Sequence, residues 1–247
     1  MQTTGNTILI TGGGSGIGRA LAHRFHDLGN QVIISGRRRD ALEDAAAGRA
    51  GIHILQLDVE DPAAIERFAD QVLSQHPQLN VLINNAGVMR GESLASRRDL
   101  ADAEATVITN LLGPIRLTNA LIDHLAAAAH AAVVNVTSGL AFVPLSSAPT
   151  YSATKAALHS YTLSLRAQMN GRVEVIELIP PGVQTDLTPG QSTRAGYMPL
   201  TDYIDEVMGL FQQQPTPAEI SVKRVGFLRR AEAEGRFDAA FAALNGG

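Results

Sequence analysis

Apolar residues follow two alternating rhythms along this chain. Short unbroken runs, such as Ile8-Leu9-Ile10, Val32-Ile33-Ile34, Val81-Leu82-Ile83 and Val133-Val134, carry no polar interleaving. Such runs suit strands covered on both faces, since a half-exposed strand would alternate. Between them the spacing becomes helical: Ile17, Leu21, Phe25 and Leu28 share one helix face, which Gly29-Asn30 ends. The pattern predicts strands at about 6–11, 31–35, 51–57, 80–83, 131–137 and 173–179. Helices are predicted at about 16–28, 40–47, 61–75 and 150–169, with a long one after the polar loop 90–99, interrupted near Asn110 and Gly113-Pro114. Asp61-Pro62 opens its helix as N-cap and first residue. Regular alternation of strand and helix predicts an α/β, doubly wound parallel sheet. There is no repeat or linker, so residues 1–247 are expected to form one domain. Beyond about 185 the rhythm loosens. A stretch rich in Gly, Ser, Thr and Pro (186–201) precedes helical segments expected near 201–213, 217–234 and 237–244. Ligands in such folds bind beyond the C-terminal strand ends. Loops 88–99, 139–149 and 182–201 leave from that edge, and 186–214 is expected to form a substrate lid.

The first strand runs into Gly12-Gly13-Gly14-Ser15-Gly16-Ile17-Gly18 and then directly into a helix. Glycines there allow a tight turn and close approach of backbone to a pyrophosphate, whose charge suits the helix N-terminus. This strand, loop, helix and strand predict the first half of a Rossmann-type dinucleotide-binding unit. An NAD site usually has an acidic residue at the tip of the second strand, to hold the ribose hydroxyls. Here Ser35-Gly36-Arg37-Arg38 stands there instead. A guanidinium suits a phosphate, so NADP is the expected cofactor, with Arg37 as its clamp and NAD the alternative.

A second constellation closes the fifth strand run. Ser138 follows it, and Tyr151 and Lys155 lie four apart on the next predicted helix, hence on one face. A free phenol, with a pKa of about 10, is a poor proton shuttle near neutrality. An ammonium ~4 Å away in an effective dielectric of ~20 supplies about 4 kcal/mol, enough to lower it by ~3 units. Lys155 is therefore expected to bring Tyr151 into range, and the Ser138 hydroxyl to hold a reacting oxygen.

Composition narrows the field without adding to it. Of 247 residues, 45% are apolar and 18% charged, with a formal charge of −4. No basic patch points to nucleic acid, and no apolar run is long enough for a membrane span. With no cysteine, disulfides, zinc-thiolate sites and thiol nucleophiles are excluded. The seven histidines are scattered without metal-ligand spacing, so no metal is expected. The polar start of the chain predicts a cytoplasmic protein.

These motifs together resemble the short-chain dehydrogenase/reductase superfamily over about residues 6–187, and the tail resembles the bacterial DltE-like oxidoreductases. TGGGSGIG at 11–18, Asp58-Val59, NNAG at 84–87, Asn110, Ser138 and YSATK at 151–155 occur in the family's order. The resemblance implies hydride transfer between a nicotinamide and a carbonyl or alcohol substrate, with Tyr151 moving the proton. It gives Lys155 the nicotinamide ribose, Ser138 the substrate oxygen and Asn110 a water-linked relay to Lys155. Along the cofactor it places Gly12, Ser15, Gly16, Ile17 and Gly18. Asp58 and Val59 would meet the adenine, Asn85, Ala86 and Gly87 the adenosine ribose, and Val183 and Thr185 the carboxamide side. Two departures stand out. Pro180-Pro181 occupies the place of the family's Pro-Gly, and a last strand ending Val-Asp-Gly-Gly is missing, which predicts a homodimer rather than a tetramer. The rival readings are an NAD-dependent alcohol dehydrogenase of the same fold and a non-catalytic NADP-binding redox sensor.

Overall fold

A computed structural model describes residues 1–246. The apolar runs become strands: β1 Thr7–Thr11, β2 Gln31–Gly36, β3 Ile52–Gln56, β4 Leu79–Asn84, β5 Ala132–Val136 and β6 Glu174–Ile179. A short β7, Glu219–Ser221, joins them in one sheet of order β3-β2-β1-β4-β5-β6-β7. Every pairing is parallel. Strand order reverses between β1 and β4, and ligand crevices form at such switch points.

Side chains leave successive strand positions on opposite faces. Ile8 and Ile10 therefore pack with Leu21 and Phe25 of α1 (Gly16–Asp27) and with Val207 and Phe211 of α7 (Leu200–Phe211). Leu9 between them packs the other way, with Phe68 of α3 (Pro62–Gln75), Leu117 of α5 (Gly113–Ala127) and Leu165 of α6 (Pro149–Met169). Two buried layers thus sandwich the sheet, as unbroken apolar runs require. The helix α2, Arg39–Ala46, covers the β2–β3 edge. Asp61 caps α3, its carboxylate accepting from the Ala63 and Ala64 N–H groups at 2.8 and 3.1 Å.

The interrupted helix is one rod in three parts. Its first part is α4, Ala101–Val107; a widened π turn, Ile108–Leu112, leads into α5. Such turns insert a residue out of helical phase and often mark functional positions. Here the turn carries Asn110, fully buried.

Two expectations for the tail need correction. The segment 217–234 is not a helix: it contains β7, then brief helical turns at Lys223–Val225 and α8, Gly226–Arg229. Three residues with one buried apolar position, Ile220, are too few to show a period in sequence. A strand therefore does occupy the β6 edge, and the missing-strand argument against a tetramer loses its basis. The last helix, α9, runs Phe237–Asn245.

Candidate active site

The turn at the end of β1 takes a shape that only glycine adopts without strain. Gly12 and Gly16 have φ of +67° and +52°. A Cβ on Gly12 would lie 2.9 Å from the Asn85 side chain. Ser15, the N-cap of α1, is extended and makes no side-chain cap hydrogen bond. The first N–H groups of α1 are thus left without that cap, which suits a diphosphate at the positive end of the helix.

Thr11 fixes the neighbouring strand end. Its hydroxyl accepts from the backbone N–H of both Asn85 and Ala86, each at 3.0 Å. The Asn85 amide returns a bond to the Thr11 carbonyl at 2.9 Å. The exits of β1 and β4 are therefore held side by side as the floor of a cleft. Thr11 lies inside the glycine motif, yet nothing in its spacing marked it as this hub.

That cleft is a cavity of about 530 Å³. Gly12, Ser15, Gly16, Ile17 and Arg37 line one part, with Asn85, Ala86 and Gly87 along the floor. Ser138, Tyr151, Lys155, Val183 and Thr185 line the rest. Asp58 and Val59 stand in an adjoining cavity of about 120 Å³, which also borders on Gly12, Arg37 and Ala86. Gly18 is the exception among the predicted cofactor residues, because it faces neither space. A Cβ there would lie 2.4 Å from both the Gly12 carbonyl and the Asn85 amide, so its glycine lets α1 pack against the turn.

At the β2 end, Arg37 pairs with Glu60 at 3.3 Å, and the Thr109 hydroxyl donates to the same carboxylate at 2.8 Å. The absence of a carboxylate at the strand tip holds in three dimensions only for the tip itself. Glu60 reaches the region from 23 residues further on, a distance that sequence spacing did not reveal.

Tyr151 and Lys155 are buried on the α6 face that looks into the cavity, with the ammonium 5.6 Å from the ring centroid. The Lys155 Nζ donates to the Val136 carbonyl at 2.8 Å. Asn110 holds Val88 by both backbone groups: its Oδ1 accepts from the Val88 N–H and its amide donates to the Val88 carbonyl, each at 2.8 Å. Its amide also approaches the Thr154 hydroxyl at 3.4 Å. No direct Asn110–Lys155 bond forms.

Electrostatics depart from expectation here. Burial pushes the Tyr151 phenol up to about 12; a hydrogen bond with Ser138 offsets part of this and nearby Tyr197 adds to it. Burial also pulls Lys155 down to about 8. Desolvation, which disfavours the charged form, is the largest effect on both groups, and the expected lowering of the phenol by Lys155 is not realised. The chain's own groups therefore leave the phenol protonated at neutral pH.

The Pro180-Pro181 departure also has a structural outcome. Both prolines line the cavity, and the Pro180 carbonyl accepts from the Gly139 N–H at 2.9 Å. The glycine follows at 182, where a Cβ would meet the Tyr197 ring at 3.1 Å. The segment then folds back on itself: Met198 donates to the Gly182 carbonyl at 2.8 Å, and Gln184 to Met198 at 2.8 Å. Buried Gln191 donates to the Val183 carbonyl at 2.8 Å and to the Thr185 hydroxyl at 3.1 Å. Gln191 lies in the stretch expected to form a substrate lid, and nothing in its spacing marks this bracing role.

Comparison with known proteins agrees with this geometry. The family model described as short chain dehydrogenase matches residues 6–195. The chain is 43% identical over 198 residues to the uncharacterized oxidoreductase DltE of Bacillus subtilis strain 168, covering 79% of each. It is 34% identical over 186 residues to sulfoacetaldehyde reductase 2 of Chromohalobacter salexigens, covering 73% of this chain and 74% of that one. The crystal structure of a short chain dehydrogenase from Burkholderia cenocepacia, in complex with NADP, superposes with a TM-score of 0.83 at 25% identity, covering 99% of both chains. A nucleotide cradle at the sheet's switch point, on a chain so matched, makes this protein a DltE-like member of the short chain dehydrogenase family and an NAD(P)-dependent oxidoreductase.

Proposed function

We propose that the protein is an NADP-dependent carbonyl reductase, working reversibly on the matching alcohol, with Ser138, Tyr151, Lys155 and Asn110 as its catalytic set. The observation that carries this reading is the convergence of the Tyr151 phenol, the buried Lys155 ammonium and Ser138 on one cavity, against the glycine cradle. NADP, when bound, supplies the hydride chemistry. Tyr151, protonated at neutral pH, donates its proton to the substrate oxygen as that oxygen gains charge. Ser138 orients the same oxygen. Lys155, charged below about pH 8, stabilises the phenolate left behind. Asn110 keeps the Val88 backbone, and with it the wall beside Lys155, in place.

Support for NADP comes from Arg37 and Arg38 on the cavity wall, and from the NADP-bound Burkholderia structure. Arg37 is already half engaged by Glu60, so a 2′-phosphate would compete for it. Loss of one charge-assisted contact costs roughly 1.5 kcal/mol, or about tenfold. Arg37→Ala is accordingly expected to raise the KM for NADPH about tenfold and to leave that for NADH nearly unchanged. Equal or better use of NADH by the unmodified protein excludes the preference. A non-catalytic redox sensor would instead bind NADPH without turning over any carbonyl compound.

A homodimer through α5 and α6 belongs to the same proposal, supported by Leu163, 44% exposed on α6. Light scattering in solution is expected to give twice the chain mass, and a tetramer contradicts it. A substrate lid at 186–214 and a cytoplasmic location complete the reading. Among the described residues no helix is long and apolar enough to cross a membrane.

A further inference from the structure

One cation on the cavity wall has no part in the reaction set out above. Arg37 and Arg38 stand at the end of β2, and Lys155 beside Tyr151. Arg90 lines the same cavity from the segment after β4. Its backbone is held from both sides. Val88 is bound by Asn110. The Glu92 N–H donates to the Ser147 carbonyl at 2.9 Å. The Glu92 side chain, only 3% exposed, accepts from the Thr150 N–H at 3.1 Å and the Thr150 hydroxyl at 2.8 Å, and pairs with Arg98 at 2.6 Å. Thr150 is the residue before Tyr151. The segment bearing Arg90 is therefore clamped to the start of the helix that presents the phenol.

The Arg90 guanidinium itself is loosely held. Its one ionic contact runs from Nε to the Asp102 carboxylate at 3.2 Å, and the two side chains are 48% and 59% exposed. Its two terminal nitrogens have no hydrogen-bond partner among the described residues. A forked cation with its tips free, on a rigid strap beside the proton donor, matches an oxyanion in two-point contact. Among the described residues that line the cavity, Asp186 is the only carboxylate, against four cations.

We propose that Arg90 is an anion-recognition arm, and that the substrate is a small carbonyl compound carrying a carboxylate or comparable oxyanion at its far end. This rests on the carbonyl-reductase reading and names the substrate class of that site. Short ω-oxo acids such as 4-oxobutanoate, compared with uncharged aldehydes such as pentanal, test it with NADPH present. The acid is expected to show at least tenfold higher kcat/KM. Arg90→Gln is expected to remove that advantage through KM, with the pentanal rate changing less than twofold. Arg90→Lys should recover part of it, because charge returns without the fork. A pentanal rate equal to that of the acid in the unmodified protein, or an equal loss on both substrates in Arg90→Gln, overturns the proposal. Calorimetric titration of butyrate and butyramide into the protein with NADPH separates this from the reaction itself. Butyrate binding that Arg90→Gln abolishes sustains the arm even if no aldehyde is reduced. Binding of neither compound, or butyrate binding that survives the substitution, refutes it.

Discussion

Replacing Tyr151 with Phe is expected to remove carbonyl reduction while leaving NADPH bound as tightly as before. The substitution deletes one hydroxyl and keeps the buried ring, so α6 and the cavity wall should be undisturbed. General acid catalysis contributes roughly 100- to 10,000-fold, and the loss in kcat should fall in that range or beyond. Stopped-flow binding of NADPH beside steady-state assay separates the two effects. Turnover within about tenfold of the unmodified protein, far short of what a proton donor supplies, excludes Tyr151 from the role. The phenol's upward shift to about 12 adds a directional expectation. At neutral pH the group is a ready donor, so reduction should proceed there without needing alkali. Alcohol oxidation needs the phenolate, and its rate should climb as the pH rises.

Lys155→Met is expected to give an enzyme that is more stable and nearly inactive. Burial lowers the ammonium from its ordinary 10.5 to about 8, which is a cost to the folded state whenever the group is charged. Between pH 8 and 10.5 the unfolded chain holds more protons here than the folded one, so stability from this group rises with pH through that window. Below pH 8 the full cost applies, on the order of 3 kcal/mol. Methionine removes that cost but leaves the Val136 carbonyl without its donor, worth ~1–2 kcal/mol. The net is a gain of roughly 1–2 kcal/mol at pH 7, seen as a Tm higher by a few degrees. The gain should shrink from pH 8 upward, vanish between about pH 9 and 10, where the two costs match, and reverse above that. Turnover should fall about 100-fold or more, because the phenolate loses the charge beside it and keeps the Ser138 hydrogen bond, which offsets only part of the cost of burial. A variant that is less stable at pH 7 shows that burial does not govern this lysine.

What the sequence made legible was what repeats. Strands buried on both faces announce themselves as unbroken apolar runs, and six of the sheet's strands were placed within a residue or two. That Ser138, Tyr151 and Lys155 line one cavity was legible because a strand end and a helix face fix their directions. The misses share a different cause. β7 is too short to have a period. Glu60, Gln191 and Glu92 act across loops, where spacing carries no geometry. Gly18 was assigned with its neighbours to the cofactor, whereas the helix phase turns it toward the Gly12 carbonyl. The phenol's pKa went astray for an energetic reason: a pair of sequence positions gives the attraction between charges and says nothing of the water removed around them.

The widened turn at 108–112 lets one rod serve two masters. Ahead of it, α4 lies along α6; behind it, α5 lies along α3. An unbroken helix keeps a single stripe toward a single neighbour, so a slip of one residue is what re-aims the second half. Asn110 sits at the slip itself, between the segment that braces the proton donor's helix and the segment that closes the sheet's far layer.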